Sequence, residues 1–531
     1  MQKLTDFSVK HKSFFMKLFI VFMILQPIFD IYYLYTEDII NIFKFSPSTI
    51  IRMLIMGILV VVAFLIWKGR HKYRDVIILS VVYFIYIVLH HLTSSAFYVP
   101  YGNFDHYSIF NELFYVIRMM MPLLLIFVTY QFKIKWENVQ KVVVIVCLIF
   151  SVVMVLTNIF GISLTSYYDG NKIIKYTIFD WFNSDIYNNG GYILVASKGI
   201  FHMANQVSGV LICLLPILIY IFFKKPNVLH TVTLSLTILS MIMLGTRVAS
   251  MGWAAVTIVM LVIYLFFVFV KKEIKFNLKM LIIYGIILIG FGALLPFSPV
   301  MNRIYINDNS EEVEEGIESM SADKMLKNFL KKMEEKEKAA KTEKDLKEIK
   351  EEKAQFLFDS YVTFGVDKQY IMDLYPYDED VDFWLSEYQI PFKDRANHRQ
   401  LKTDITKRII ELNDNKADYL FGMSFTRLRN AQVYMENDIY VHLYSIGIFG
   451  ILLFICPYIA ILFIGIYQVF RHYKEKFTFE NIIYLFSICL VIIAGVVSGN
   501  VFDEWIVTLF LGFICGMLLL NLFDNKKEKN E

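Results

Sequence analysis

The sequence predicts an all-α polytopic membrane protein of about twelve transmembrane helices, with one large extracytoplasmic loop domain. Three observations lead there. Of the 531 residues, 57% are hydrophobic and 19% charged, a balance that excludes a soluble chain of several domains. Apolar runs long enough to cross a bilayer recur along the whole length. The short connections between them alternate in lysine and arginine content.

In chain order, spans are expected near 15–35, 48–67, 74–94, 113–132, 140–162, 204–223, 228–245, 249–271, 278–297, 440–469, 480–498 and 502–522. The leading MQKLTDFSVKHK runs into an apolar stretch with no small-residue cleavage site, so the first span reads as retained. All five cysteines (Cys147, Cys213, Cys456, Cys489, Cys515) fall inside apolar stretches, and no disulfide framework is implied. Basic connections such as WKGRHKYRD, FKIKWENVQK, VKKEIKFNLK and FRHYKEK fall on one side if there are twelve spans. By the excess of positive charge on cytoplasmic loops, both termini are then cytoplasmic.

Three segments become external. Residues 95–112 are short and aromatic, and 163–203 are rich in Tyr, Trp, Asn and Gly, a composition that suits sugar stacking or an ordinary membrane interface. Residues 298–439 form a loop domain of about 140 residues, between a first membrane part, 1–297, and a second with the cytoplasmic tail, 440–531. Inside the loop, 322–356 is rich in Lys and Glu, with Met325, Phe329 and Met333 at helical spacing. It reads as an exposed amphipathic helix or hairpin, its charges a solvated face. A second amphipathic helix follows at 399–413.

The charges within or beside spans carry the functional argument, because ionisable groups at membrane depth are costly. On the external side stand Asp30, Arg52, Arg118, Arg247 in LGTRVASMG, Asp503 and Glu504. The stretch FGMSFTRLRNAQVYMENDIYVHLYSIGIFG, 421–450, adds Arg427, Arg429, Glu436, Asn437, Asp438 and His442 where the large loop re-enters the membrane. Several arginines with a nearby carboxylate describe a polar cavity suited to phosphate, since the guanidinium fork binds it bidentately and stays charged. Arg52 alone also reads as a snorkelling interfacial residue, and His202 and His442 as hydrogen-bonded histidines. Asp378-Glu379-Asp380 resembles a D-x-D metal motif but lies in a solvated acidic run. No P-loop, Rossmann glycine pattern, Cys/His metal spacing or G-x-S-x-G is present, so neither cofactor, metal nor nucleic acid is expected.

At GIFHMANQVSGVLICLLPI (199–217), LGTRVASMGWAA (244–255) and LFGMSFTRLRNAQVYMENDIYVHLYSIGIFG (420–450), the chain resembles the O-antigen ligase/polymerase superfamily of bacterial surface-polysaccharide assembly. The resemblance covers about 15–297 and 418–522 and leaves out the Lys/Glu-rich insert. It implies a GT-C-type glycosyltransferase of the bacterial cytoplasmic membrane. Such an enzyme transfers glycan from a polyprenyl-diphosphate-linked oligosaccharide at the outer face, without metal and with inversion. Arg247 matches the turn arginine expected to hold the diphosphate, with Arg118 and Arg52 as companions. Glu436, the expected base, falls where many ligases carry a histidine beside an asparagine (here Asn437), a departure that points to a polymerase of repeats. Arg427, Arg429, Asn437, Asp438 and His442 are expected to support the acceptor and the loop. Besides the donor and the bilayer, a chain-length regulator protein is a partner that the resemblance allows. A ligase that attaches finished glycan remains the alternative, and a flippase or twelve-span carrier the rival of another class. Such carriers are usually built from two related halves, which this sequence does not show.

Overall fold

The computed structural model describes residues 2–29, 31, 47–98, 104, 106–167, 172–185, 191–391, 398–429, 435 and 437–524, with backbone alone for 307–321, 398 and 429. Asp30 and Glu436 lie outside the described residues. The chain is almost wholly helical. Among the described residues, eleven helices are long and apolar enough to cross a membrane. They are Lys12–Phe29, Pro47–Ile66, Lys72–Ala96, Ile109–Phe132, Trp136–Ile159, Ala204–Lys224, Arg247–Phe269, Leu278–Ile306, Asp438–Arg471, Phe479–Val497 and Trp505–Phe523. The stretch expected as the seventh span is an apolar helix of 16 residues, Val228–Met243. The protein is thus the all-α polytopic membrane protein that its composition predicts.

The chain forms two compact units: Met1–Ile77 with Val116–Ile304 and Phe454–Glu531, and Ile78–Tyr115 with Tyr305–Leu453. The second takes in more than the loop 298–439, because it includes membrane-helix segments on both sides of it.

In the first unit, Ala204–Lys224 is the axis. It is apolar all round, as a helix surrounded by helices must be, and its apolar window is wholly buried. It packs on Phe479–Val497, Arg247–Phe269, Val228–Met243, Trp505–Phe523 and Trp136–Ile159. Small residues let the backbones approach, as is usual between membrane helices. A Cβ on Gly512 would sit 2.4 Å from the carbonyl oxygen of Pro122, and one on Gly516 would sit 2.6 Å from Thr129 Cβ. Leu278–Ile306 lies at the other extreme, with only 17% of its apolar window buried. Its Ile282, Ile286 and Ile289 are exposed, a surface for lipid.

In the second unit, the expected hairpin is present as Pro299–Ala339 running into Glu343–Ser360, turned by a Thr342–Asp345 capping box. Lys332 and Lys336 both reach Glu352 across it, and Phe329 stacks on Phe356 with centroids 3.8 Å apart. Such exposed pairs add little stability; the weight falls on an aromatic core of Trp384, Tyr375, Tyr388 and Phe364. His398–Asn413 supplies the second amphipathic helix, burying Leu401, Ile405 and Ile409. Asp380 of the acidic run is occupied: it accepts from Arg408 Nε at 2.6 Å and Tyr375 Oη at 2.7 Å, and caps Val381–Tyr388. Burial works to raise its carboxyl, but these donors prevail and hold it below the usual range.

Candidate functional site

In the first unit the turn 244–247 is built around Gly245, whose φ of +66° suits glycine. A Cβ there would also meet Ala196 Cβ at 2.9 Å and Pro299 Cβ at 3.0 Å. Thr246 then caps Arg247–Phe269 by accepting from Ala249 N at 3.2 Å, and shares a 2.8 Å hydrogen bond with Ser208. Arg247 is left exposed at the first helical position.

Tyr167 ties this turn to a second arginine. Its hydroxyl donates to the Gly245 carbonyl and accepts from Arg303 Nη1 at 3.3 Å, while the Arg303 guanidinium lies over the ring at 5.0 Å. Burial pushes the Tyr167 phenol up, against the pull of Arg303 and, more weakly, of Arg247. Arg303 thus touches the phenol, and Arg247 starts the helix that leaves the turn to which the phenol is bonded. Among the described residues neither arginine has an ion-pair partner.

The other two arginines are engaged. Arg118 Nη2 lies 3.9 Å from Asp503 Oδ1, and the neighbouring Glu504 accepts from Gln206 at 3.0 Å. Arg52 does not snorkel: it is 3% exposed, inside the helix packing. Its Nε donates to Gln26 Oε1 at 2.8 Å and its Nη2 to the Gln26 carbonyl at 3.2 Å, with Phe29 and Trp505 rings at 5.4 and 5.5 Å. A buried guanidinium needs that saturation, which gives Arg52 a structural task.

In the second unit the stretch 420–450 folds around two glycines. Gly447 (φ +68°) breaks the helix Asp438–Phe454, and Gly422 (φ +84°) ends Ala417–Phe421. Each lies where a Cβ would strike the opposite backbone, within 2.5 Å at Leu420 and 2.3 Å at Ser445. The break frees carbonyls, and they are answered: Met423 N donates to Tyr444 O at 2.8 Å, Ser424 N to Ser445 O at 3.2 Å, and Tyr86 Oη to Ile446 O at 2.9 Å. Interrupted helix at membrane depth is tolerated only when its polar groups are satisfied in this way.

Glu112 holds the next residues. It is 3% exposed, and its carboxylate accepts from Ser424 Oγ at 2.5 Å, Phe425 N at 3.0 Å, and Thr426 N and Oγ1 at 3.2 Å each. His90 Nε2 lies 2.9 Å from Glu112, and Nδ1 lies 2.5 Å from the Phe421 carbonyl. An oxygen faces each ring nitrogen, so the ring is held from both sides. Beyond this knot, Arg427 Nη2 caps the carbonyls of Ser94 and Phe97 at 3.2 and 3.1 Å. Burial lowers its pKa, opposed by Tyr107, Glu112 and Asp418. Tyr115 stacks on Phe425 at 3.7 Å and shares a hydrogen bond of 3.2 Å with buried His442 Nδ1. Asn437 accepts from Ile439 N at 3.0 Å, and Asp438 is buried in the first turn of the re-entering helix.

The sequence-predicted residues thus divide between the units. Arg52, Arg118 and Arg247 belong to the first, and Arg427, Asn437, Asp438 and His442 to the second; Glu436 and the Arg429 side chain are outside what is described. Sequence reasoning missed Tyr167, Arg303, His90 and Glu112. The last two carried a usable signal, being ionisable residues inside apolar spans.

No curated protein and no solved structure matches the chain. A family does: over residues 12–525 the sequence matches the O-antigen ligase-like membrane proteins, and with nearly its whole length inside that match the chain belongs to this family.

Proposed function

We propose that the protein polymerises a cell-surface polysaccharide, transferring glycan repeats from a polyprenyl-diphosphate-linked donor to an acceptor sugar hydroxyl at the outer face of the cytoplasmic membrane. In this reading both termini are cytoplasmic and the large loop is external. The observation that carries it is Arg303 on Tyr167, whose hydroxyl is bonded to the turn that presents Arg247, with no ion-pair partner for either arginine among the described residues. A diphosphate leaving group is the ligand such a pair suits, by charge and by its bidentate oxygens. Arg118 adds charge while held by Asp503.

The acceptor oxygen attacks the anomeric carbon as the bond from that carbon to the diphosphate oxygen breaks. The diphosphate departs on its polyprenyl chain, and the acceptor proton passes to Glu436. The arginines neutralise the departing charge, work that fixed donors do well in a water-poor site. Glu436→Gln keeps shape and removes the proton acceptor, so transfer falls by about 10²–10⁴-fold while donor binding survives. Near-normal transfer by that variant would remove Glu436 as base and make His442 the next candidate.

Sizing lipid-linked intermediates and surface polymer in a deletion strain tests the function itself. Single lipid-linked repeats accumulating on the outer leaflet are expected. Full-length lipid-linked polymer that never reaches its acceptor would make the protein a ligase, and repeats trapped on the inner leaflet a flippase.

A further inference from the structure

We propose that the segments 160–162 and 172–182, which adjoin the paired strands Ser163–Leu164 and Ile173–Ile174, form an interfacial foot that lies in the headgroup layer of the bilayer and grips anionic lipid. Phe160 follows directly on the span Trp136–Ile159 and is 71% exposed. Gly161, with φ +63°, reverses the chain, and strands Ser163–Leu164 and Ile173–Ile174 pair antiparallel. The second strand runs into the 3-10 helix Ile178–Phe182, closed by a Thr177–Asp180 capping box and pinned to the span by Ile178 N donating to Asn158 Oδ1 at 2.8 Å. The arrangement is well fastened by buried Ile174 and Trp181, yet other apolar side chains stay exposed: Ile173 is 66%, Phe179 72% and Phe182 56% exposed.

What covers them follows from continuity and charge. Phe182 meets Phe297 with centroids 5.1 Å apart, and Phe297 stands within Leu278–Ile306, the least buried span of the first unit. The exposed apolar surface of two membrane helices therefore runs on into the foot. Lys172 and Lys175 flank it, both exposed, while Asp180 is turned inward on the Thr177 backbone and hydroxyl. Exposed phenylalanines with flanking lysines at a span end are the composition of a segment lying in the interface of an anionic membrane. One consequence rests on the proposed function: Tyr167 stands three residues after the strand Ser163–Leu164, so the foot would set Arg303 and the Gly245 turn at the depth of lipid phosphates. The seating itself does not depend on that reading.

The test uses the full-length protein in vesicles of phosphatidylcholine with phosphatidylglycerol, doped with a phospholipid carrying a diazirine near the glycerol backbone. After illumination, adducts are mapped by mass spectrometry. Adducts on Phe160, Phe179 or Phe182 at a yield within about threefold of that on Leu278–Ile306 are expected. Lys172→Glu with Lys175→Glu should lower labelling of the foot by a phosphatidylglycerol probe several-fold, and by a phosphatidylcholine probe little. Absence of adducts from 160–182 while Leu278–Ile306 is labelled would overturn the proposal, as would cross-links from this surface to a second copy. Equal labelling by both probes in the charge-reversed protein would overturn the grip on anionic lipid. None of these readings passes through polymer synthesis, so their failure and that of the proposed function are separate.

Discussion

Around Glu112 the buried carboxylate is fully met. Four donors of the 424–426 turn and the His90 ring converge on it, and Arg427 gives Nη2 to two helix-end carbonyls. Around Tyr167, among the described residues, Arg303 has the phenol as its partner and no carboxylate, and Arg247 is exposed at a helix start. Burying ionised groups is costly unless they are paired and hydrogen-bonded. A region that meets the condition holds shape; one that keeps cations without a counter-ion is suited to an anion from outside. The Glu112 knot is accordingly read as scaffold, and the Tyr167 cluster as site.

Breaking the knot has the largest expected effect. Glu112→Ala takes the shared acceptor from five donors in a buried place and should cost about 3–5 kcal/mol, a loss of folded protein visible in thermal unfolding in detergent. Glu112→Gln, which keeps the shape, should cost less. On the other side of the comparison, Arg247→Lys keeps the charge but loses the fork. Transfer should fall by about 10²–10³-fold with an unchanged melting temperature and normal membrane abundance. Arg303→Ala should behave likewise with a smaller loss. Wild-type polymer from both would end the reading of Tyr167 as the organiser of a site.

Arg52 sharpens the contrast because it is an arginine of the scaffold kind. Arg52→Ala leaves the buried Gln26 side chain short of its partner and opens space between two rings, so about 2–3 kcal/mol of stability should go. Activity per folded molecule should hold. The smallest effect concerns Glu387, where burial, helped by Asp404, pushes the carboxyl up to about 7. A raised carboxyl pKa means the folded state binds the proton more tightly than the unfolded one. Stability should therefore fall as pH rises from about 4.5 to about 7, and level off above that. Glu387→Gln should flatten that slope and stabilise the protein at pH 8 by about 1–3 kcal/mol, measured as melting temperature against pH.

Spans and charged hairpin were legible in the sequence because each is a local matter of periodicity. Gly245 sits in the turn between two apolar helices, as its motif suggested, whereas Gly447, read inside a continuous span 440–469, breaks the helix at positive φ. The partners were not legible. Arg52 and Arg247 look alike in sequence, and only packing separates a guanidinium held by Gln26 from one left exposed. Tyr167 was hidden among many aromatics, and Arg303 stood at the edge of a loop whose charges read as solvated. Glu112 and Ser424 are 312 residues apart, a pairing that no local pattern announces.

The central claim, that Arg247 and Arg303 hold the diphosphate of a lipid-linked donor, is tested most directly by binding. Undecaprenyl diphosphate should be titrated into the purified full-length protein, the Arg247→Ala and Arg303→Ala variants, and Arg427→Ala as the scaffold control. The account expects Kd to rise tenfold or more for each of the first two, about 1.4 kcal/mol or more, and to stay within about twofold for Arg427→Ala. Unchanged affinity in both Arg247→Ala and Arg303→Ala, with melting temperatures intact, would contradict it.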